Sequence, residues 1–351
     1  MIDRAEAGYR PRPDPSPSDG LRPLGRRVPA LLVNGSFLDV LDQVAPRLEA
    51  LGLDLITSQE FLALDHAEQQ RVLATIEIVF GPGPLVQDAI NTAPRLKVAS
   101  LASSGYESID VDAATERGIV VTNAPTDLGT ESVADLTFGL ILDVARQISQ
   151  ANHLLRSGIW LRPLGVTVWG KTLGIIGLGR IGRAVAARAA GFNMTVMALS
   201  HHAARPENAK LGVHFVPLDE LLRRSDFVSL HSRYTPWTHH LIGREQLRLM
   251  KESAYLINTS RAGVVDQAAL LEALTNRWIA GAGLDVFDGE PNTDDPILAL
   301  PNVVTTPHIG NRTREGVLDV VDQGVRNALT VLHGRRPEFL VNPAVYERGV
   351  R

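Results

Sequence analysis

The sequence predicts an α/β protein with two doubly wound parallel sheets, on three observations. From Val28 onward, short apolar runs alternate with stretches of helical apolar spacing, the pattern of strands joined by crossover helices. After one long helical stretch the alternation starts again at Thr172. The length of 351 residues, with 44% hydrophobic and 21% charged side chains, suits two domains that each bury a sizeable core.

The same composition weakens several function classes. Lys+Arg 35 against Asp+Glu 39 leaves a net charge of −4, which offers no general field for nucleic acid or an anionic membrane, although a local patch would not show in the total. With no cysteine there are no disulfides, thiolate metal sites or cysteine nucleophiles, which fits a reducing cytoplasm. Met1–Glu6 carries no apolar signal core, and no apolar run approaches the roughly 18–20 residues that span a bilayer. The expectation is a soluble cytoplasmic protein without metal, nucleic-acid or membrane partners.

Taken in order, residues 1–27 read as a disordered or extended tail, because Pro11, Pro13, Pro15, Pro17 and Pro23 remove backbone donors and little can be buried. An ordered arm lying on a partner subunit is the alternative. Strands are expected at Val28–Val33, Leu53–Thr57, Ile76–Phe80, Val98–Leu101 and Ile119–Thr122, with a helix over Phe37–Leu51. A long helix should run from about Thr130 to Ser157, with Val133, Leu136, Leu140, Ile141, Val144 and Ile148 on one side and Gly158 as its stop. The second series predicts strands at Leu173–Ile176, Thr195–Leu199, Phe227–Leu230, Ala254–Asn258, Gly281–Asp285 and Val303–Thr305. A helix from about Arg314 to His333 follows; periodicity leaves open which unit it joins.

The most specific local signal is Gly177-Leu178-Gly179-Arg180-Ile181-Gly182, placed between the strand Leu173–Ile176 and a helix carrying Ile181, Val185 and Ala189. In that order the glycines form a dinucleotide fingerprint: Gly177 permits the tight turn, Gly179 the approach of a pyrophosphate, and Gly182 close helix–strand packing. The pyrophosphate would sit on the free N–H groups at the helix start. A tight turn without a ligand is the plainer alternative.

The next strand ends in Ser200, followed by His201, His202 and Arg205. An acidic residue there would bind a ribose 2′-hydroxyl and repel a 2′-phosphate, so a hydroxyl beside imidazoles and a guanidinium favours NADP over NAD. Alternatively, Ser200 merely ends the strand and the other three are solvated. Further on, three strand ends carry Arg261, then Asp285 and Glu290, then His308, at the edge where open α/β sheets bind ligands. One such group alone would more often be structural. Together, beside a dinucleotide site, they supply what reduction of a keto acid needs.

Over roughly Val28 to Pro343 the chain resembles the D-isomer-specific 2-hydroxyacid dehydrogenases. The likeness rests on Ser103-Ser104-Gly105-Tyr106-Glu107-Ser108-Ile109-Asp110, the glycine fingerprint, Asp226-Phe227-Val228-Ser229-Leu230-His231, the segment from Met250 to Asp266, and Glu290-Pro291 with Pro307-His308. Arg156-Ser157-Gly158-Ile159-Trp160 also looks like the end of the family's linker helix. The resemblance implies a Rossmann cofactor domain at 126–309 inserted into a flavodoxin-like substrate domain at 28–125 and 310–351, with the active site in a closing cleft between them. It also implies a homodimer, with the Thr130–Ser157 helix near the subunit interface.

Carried over by residue, the resemblance makes Arg261 the substrate-binding arginine, Glu290 its acid partner and His308 the general acid/base. Ser104 and Gly105 would clamp the substrate carboxylate through backbone amides. Asp285 would bind the nicotinamide carboxamide, with Thr259 and Gly310 near the same ring and His231 near the cofactor. Two positions depart from the family. Arg233 stands where proline is usual, either reaching the cofactor phosphates or solvated, and Ala262 stands where glycine is usual, adding a methyl beside Arg261. The Ser200-His201-His202 run resembles the NADP-preferring glyoxylate/hydroxypyruvate reductases, although those often carry arginine at this strand end. The expected activity is reduction of a small 2-keto acid by NADP(H) or NAD(H). Alternatives are a phosphoglycerate or other bulky-acid dehydrogenase, disfavoured because no regulatory domain follows Pro343, and a non-catalytic dinucleotide sensor of the corepressor type.

Overall fold

The structure, a computed structural model, describes residues 21–33, 35–200, 208 and 211–348. By its internal contacts the chain divides into two units: one runs to Thr126 and resumes at Val317, and the other is Asp127–Gly316.

The first unit holds five parallel strands: β1 (Val28–Leu32), β2 (Leu53–Thr57), β3 (Ile78–Phe80), β4 (Val98–Ser100) and β5 (Val120–Thr122), in the order β2-β1-β3-β4-β5. This is the flavodoxin-like order. The three residues of β3, β4 and β5 are all buried, as expected for strands covered on both faces. Val317, Val320, Val321, Val325 and Leu329 of the Arg314–Leu332 helix share one apolar cluster with Val28, Ala30 and Leu32, which settles the side left open by periodicity. Ahead of β1, Leu21 and Leu24 pack on the same cluster, and the Leu24 N–H donates to the Leu51 carbonyl at 3.0 Å.

Where one helix is expected over Phe37–Leu51, two form, Gly35–Asp39 and Leu41–Ala50. Val40 leaves helical geometry at φ −122°, ψ 12°, and the break lets Phe37, Val40, Val44 and Leu48 all reach the core.

The second unit contains β6 (Thr172–Ile176), β7 (Thr195–Leu199), β8 (His214–Phe215), β9 (Phe227–Leu230), β10 (Tyr255–Asn258), β11 (Gly281–Leu284) and β12 (Val303–Thr305). All pair in parallel, in the order β12-β11-β10-β9-β6-β7-β8. The order reverses between β6 and β9, and open α/β sheets bind ligands at such a point, outside the carboxyl ends of the strands. β8 has no counterpart among the predicted strands: it is two exposed residues on the edge, too short for an apolar pattern.

The expected long helix is likewise two, Asp127–Arg146 and Ile148–Arg156. Gln147 adopts a left-handed φ of 53°, and the Asp143 carboxylate accepts from the Ser149 N–H at 2.8 Å and from its hydroxyl at 3.1 Å. A side chain one turn back thus caps the new helix. The first helix packs on the sheet, whereas the second buries none of its residues. Among the described residues, no helix is long and apolar enough to cross a membrane.

Candidate active site

Three strand ends meet at the glycine loop. Gly177 has φ +97°, and a Cβ there would lie 2.7 Å from the His231 carbonyl carbon and the Ser232 nitrogen. The Gly177 N–H donates to the Leu199 carbonyl at 3.0 Å, which ties the end of β6 to the end of β7, where Ser200 follows. A Cβ on Gly182 would be driven into the Gly177 carbonyl, whereas one on Gly179 would meet nothing within 4 Å. The loop is therefore crowded behind and open in front, at the start of the Arg180–Ala189 helix. The Arg180 side chain is held by the Asp127 carboxylate at 2.5 Å, so its backbone is what faces the helix start.

His231 leaves β9 with its Nε2 2.8 Å from the Ser229 hydroxyl. Burial pushes its pKa down to about 3, so the imidazole is neutral. His231 Nδ1 and Ser232 Oγ are buried with no partner among the described residues. Orphaned polar atoms of this kind are costly and call for a polar ligand. Beside an open glycine cradle, they fit a dinucleotide.

Across the sheet, β10, β11 and β12 deliver charged side chains. After β10, the Asn258 carboxamide accepts from the Ser260 N–H at 3.0 Å and donates to the Arg261 carbonyl at 3.0 Å, which shapes the turn presenting Arg261. The Thr259 hydroxyl is buried against that of Thr137 at 3.0 Å. Beyond β11, Glu290 accepts the Phe287 N–H at 2.8 Å with one carboxylate oxygen, and its other oxygen lies 2.5 Å from His308 Nδ1. Burial works against the ionised form of Glu290, but the bonds from His308 and Phe287 and the charges of His308 and Arg261 outweigh it and hold the carboxyl below its usual range. For His308, the Glu290 hydrogen bond raises the pKa against the opposing pull of burial and Arg261.

His308 has φ +52°, an uncommon conformation for a residue with a Cβ. Asp285 braces it. Its carboxylate accepts from the Thr306 hydroxyl at 2.6 Å, the Ile309 N–H at 2.8 Å and the Gly310 N–H at 2.9 Å. Burial raises the Asp285 pKa, with those bonds acting the other way. With Nδ1 committed to Glu290, Nε2 is the ring atom left for proton transfer. A cation, an imidazole biased toward its charged form and a carboxylate thus lie together beside a dinucleotide cradle.

Comparison with known proteins fits this geometry. Residues 138–310 match the family described as D-isomer specific 2-hydroxyacid dehydrogenase, NAD binding domain. A glyoxylate reductase of Korarchaeum cryptofilum is 45% identical over 269 residues, which cover 75% of this chain and 81% of that protein. The chain belongs to the D-isomer specific 2-hydroxyacid dehydrogenases. A D-3-phosphoglycerate dehydrogenase of Methanocaldococcus jannaschii is 43% identical over 272 residues, 77% of this chain but 52% of that protein. The crystal structure of a glyoxylate reductase from Paecilomyes thermophila superposes with a TM-score of 0.75 at 28% identity, covering 90% of this chain and 98% of that one. This dehydrogenase is an NAD(P)-dependent oxidoreductase that interconverts 2-keto and 2-hydroxy acids.

Of the residues expected in its site, the larger unit brings together Arg261, Glu290 and His308, and it sets Gly177–Gly182, Ser200 and His231 around one loop. Asp285 and Gly310 are bonded to each other, so the structure gives Asp285 the task of bracing the His308 turn. Ser104 and Gly105 follow β4 in the smaller unit; the Ser104 carbonyl accepts from Asn123 at 2.8 Å and that of Gly105 from the Ser103 hydroxyl at 2.8 Å. His201 and Arg205 lie outside the described residues. Sequence reasoning missed Thr306, Thr137 and Tyr234. The Tyr234 ring comes 2.7 Å from where a Gly263 Cβ would stand, so a side chain at Gly263, two residues after Arg261, would be crowded out. Nothing in their spacing announces these contacts, which join distant segments.

Proposed function

We propose that this dehydrogenase reduces a small 2-keto acid of the glyoxylate or hydroxypyruvate kind, with NADPH as the favoured donor and NADH as the other. When bound, the cofactor supplies the hydride. Arg261 would hold the substrate's carboxylate and carbonyl oxygen in its planar fork, and the amides of Ser104 and Gly105 would contact the carboxylate. His308 Nε2 would give its proton to the carbonyl oxygen as negative charge develops there, and Glu290 would keep the imidazole charged until then. In the oxidative direction His308 takes the proton back. Asp285, Thr259 and Gly310 would stand at the nicotinamide end of the cofactor, His231 and Gly177–Gly182 at the pyrophosphate.

The observation that carries this reading is the 2.5 Å Glu290–His308 pair next to Arg261. For the donor, the support is Ser200, a hydroxyl where a carboxylate would repel a 2′-phosphate. The glyoxylate reductase relative supports the substrate class. A panel of 2-keto acids assayed with NADPH and NADH side by side tests both parts. We expect the highest kcat/KM with glyoxylate or hydroxypyruvate and NADPH; faster oxidation of 3-phosphoglycerate than of any small hydroxy acid would favour the activity named for the Methanocaldococcus relative.

A cytoplasmic homodimer completes the proposal. Its support is the apolar surface of the larger unit at Ile148, Leu155, Trp160, Leu161 and Leu164, where Trp160 is 82% and Leu164 94% exposed. Light scattering at micromolar concentration should return twice the monomer mass.

A further inference from the structure

The residues that leave β9 do more than border the glycine loop. His231, Ser232 and Arg233 emerge at the reversal of strand order, with the His231–Ser232 backbone packed on Gly177. Gly177 is in turn bonded to Leu199, so this run, the glycine loop and Ser200 are neighbours at one edge. Two of its polar atoms, His231 Nδ1 and Ser232 Oγ, are buried without partners among the described residues, which marks this edge as built for a polar ligand.

The next residue is a cation. Arg233 is exposed, and its guanidinium has no hydrogen-bond or ion-pair partner among the described residues. Its backbone, by contrast, is anchored. The Arg233 carbonyl accepts from the Thr238 hydroxyl at 2.6 Å, and Thr238 also takes the Thr235 N–H at 2.8 Å. Tyr234 is pinned between Gly263 and His239, whose Nδ1 lies 3.2 Å from the tyrosine hydroxyl. A fixed base under an uncommitted guanidinium is a preorganised anion contact.

We propose that Arg233 holds the 2′-phosphate of NADPH and so sets the cofactor preference, a reading that rests on the NADPH assignment above. The pyrophosphate has its own donors in the helix start after Gly179, and it is common to both cofactors. The 2′-phosphate is the remaining dianion. Ser200 raises no charge against it, and Arg233 supplies the countercharge from the end of β9.

Isothermal titration of the purified enzyme with NADPH, NADH and adenosine 2′,5′-bisphosphate tests this without turnover. Arg233→Ala should weaken NADPH and the bisphosphate by about 10- to 100-fold and leave NADH unchanged, as expected for loss of one charge-assisted contact. Arg233→Lys should retain part of the affinity, because the charge remains without the fork. The wild-type preference should shrink as salt is raised. An equal loss for NADPH and NADH would place Arg233 on the pyrophosphate and overturn the inference. So would an unchanged ratio in Arg233→Ala while the wild type still favours NADPH, which leaves the donor assignment standing. A wild type that binds NADH more tightly overturns both.

Discussion

The two halves of the larger sheet solve different problems with different means. On the side of β6, β7 and β9, the cradle is built from backbone and small residues, glycines that keep space open and a helix start, with a neutral histidine beside them and the proposed Arg233 contact at the edge. On the side of β10, β11 and β12, three charged side chains converge, and one buried carboxylate, Asp285, holds the turn that carries His308. The first half depends on what is missing, side chains that would fill the cradle. The second depends on what is present, in exact mutual register. Substitutions in the glycine loop should therefore fail by steric filling, and those at Arg261, Glu290 and His308 by lost charge or proton transfer.

The largest effect is expected at His308. Replacement by alanine should lower kcat by about 10²–10⁴-fold, the usual worth of a general acid, with NADPH affinity unchanged in a titration. Near-wild-type turnover would remove His308 from the mechanism. Arg261→Ala comes next, with a fall in kcat/KM for the keto acid of about 100-fold through loss of a bidentate charged contact. A matching loss of NADPH affinity would show instead that Arg261 serves the cofactor half.

Glu290→Gln should act mainly on the pH profile. Because the Glu290 bond raises the His308 pKa, reduction should hold its rate below that raised value and decline as pH rises through it. Removing the carboxylate lowers the His308 pKa, so the decline should move to lower pH, and the onset of the oxidative reaction with it. The same sign governs folding: a raised histidine pKa stabilises below its ordinary value, and that contribution is lost as pH rises through the folded one. An unmoved profile in the glutamine variant would mean that the pair does not tune the acid.

Smaller effects should separate the two glycines. Gly177→Ala places a methyl into the His231–Ser232 backbone at a left-handed φ and should cost about 1–3 kcal/mol of stability, read from thermal unfolding. Gly179→Ala meets open space, so its unfolding should stay within about 0.5 kcal/mol of wild type while NADPH affinity drops. If Gly179→Ala bound NADPH normally, the open face of the loop would not be where the cofactor lies.

Legibility in the sequence followed the same division. The glycine loop could be read directly because all its parts lie within six consecutive residues between a strand and a helix. Arg261, Glu290 and His308 were recognisable as polar groups after strands, and the family pattern assigned them roles. Their joining was not legible: Nδ1 and carboxylate meet across 18 residues of chain, through a turn shaped by Asp285 and Thr306. The helix break at Gln147 also escaped periodicity, since its cause is a side-chain cap from Asp143 rather than a glycine or proline. The β8 edge strand escaped for want of any apolar pattern.

By itself, then, the sequence determined two doubly wound sheets, the positions of their main strands along the chain and the kind of chemistry, because hydrophobic period and short motifs are local properties. Tertiary structure decided which strands the Arg314–Leu332 helix covers, that Asp285 braces the His308 turn, and that Arg233 follows two buried atoms without partners among the described residues at the glycine loop. Those outcomes depend on which distant segments share a strand end, and no local spacing encodes that.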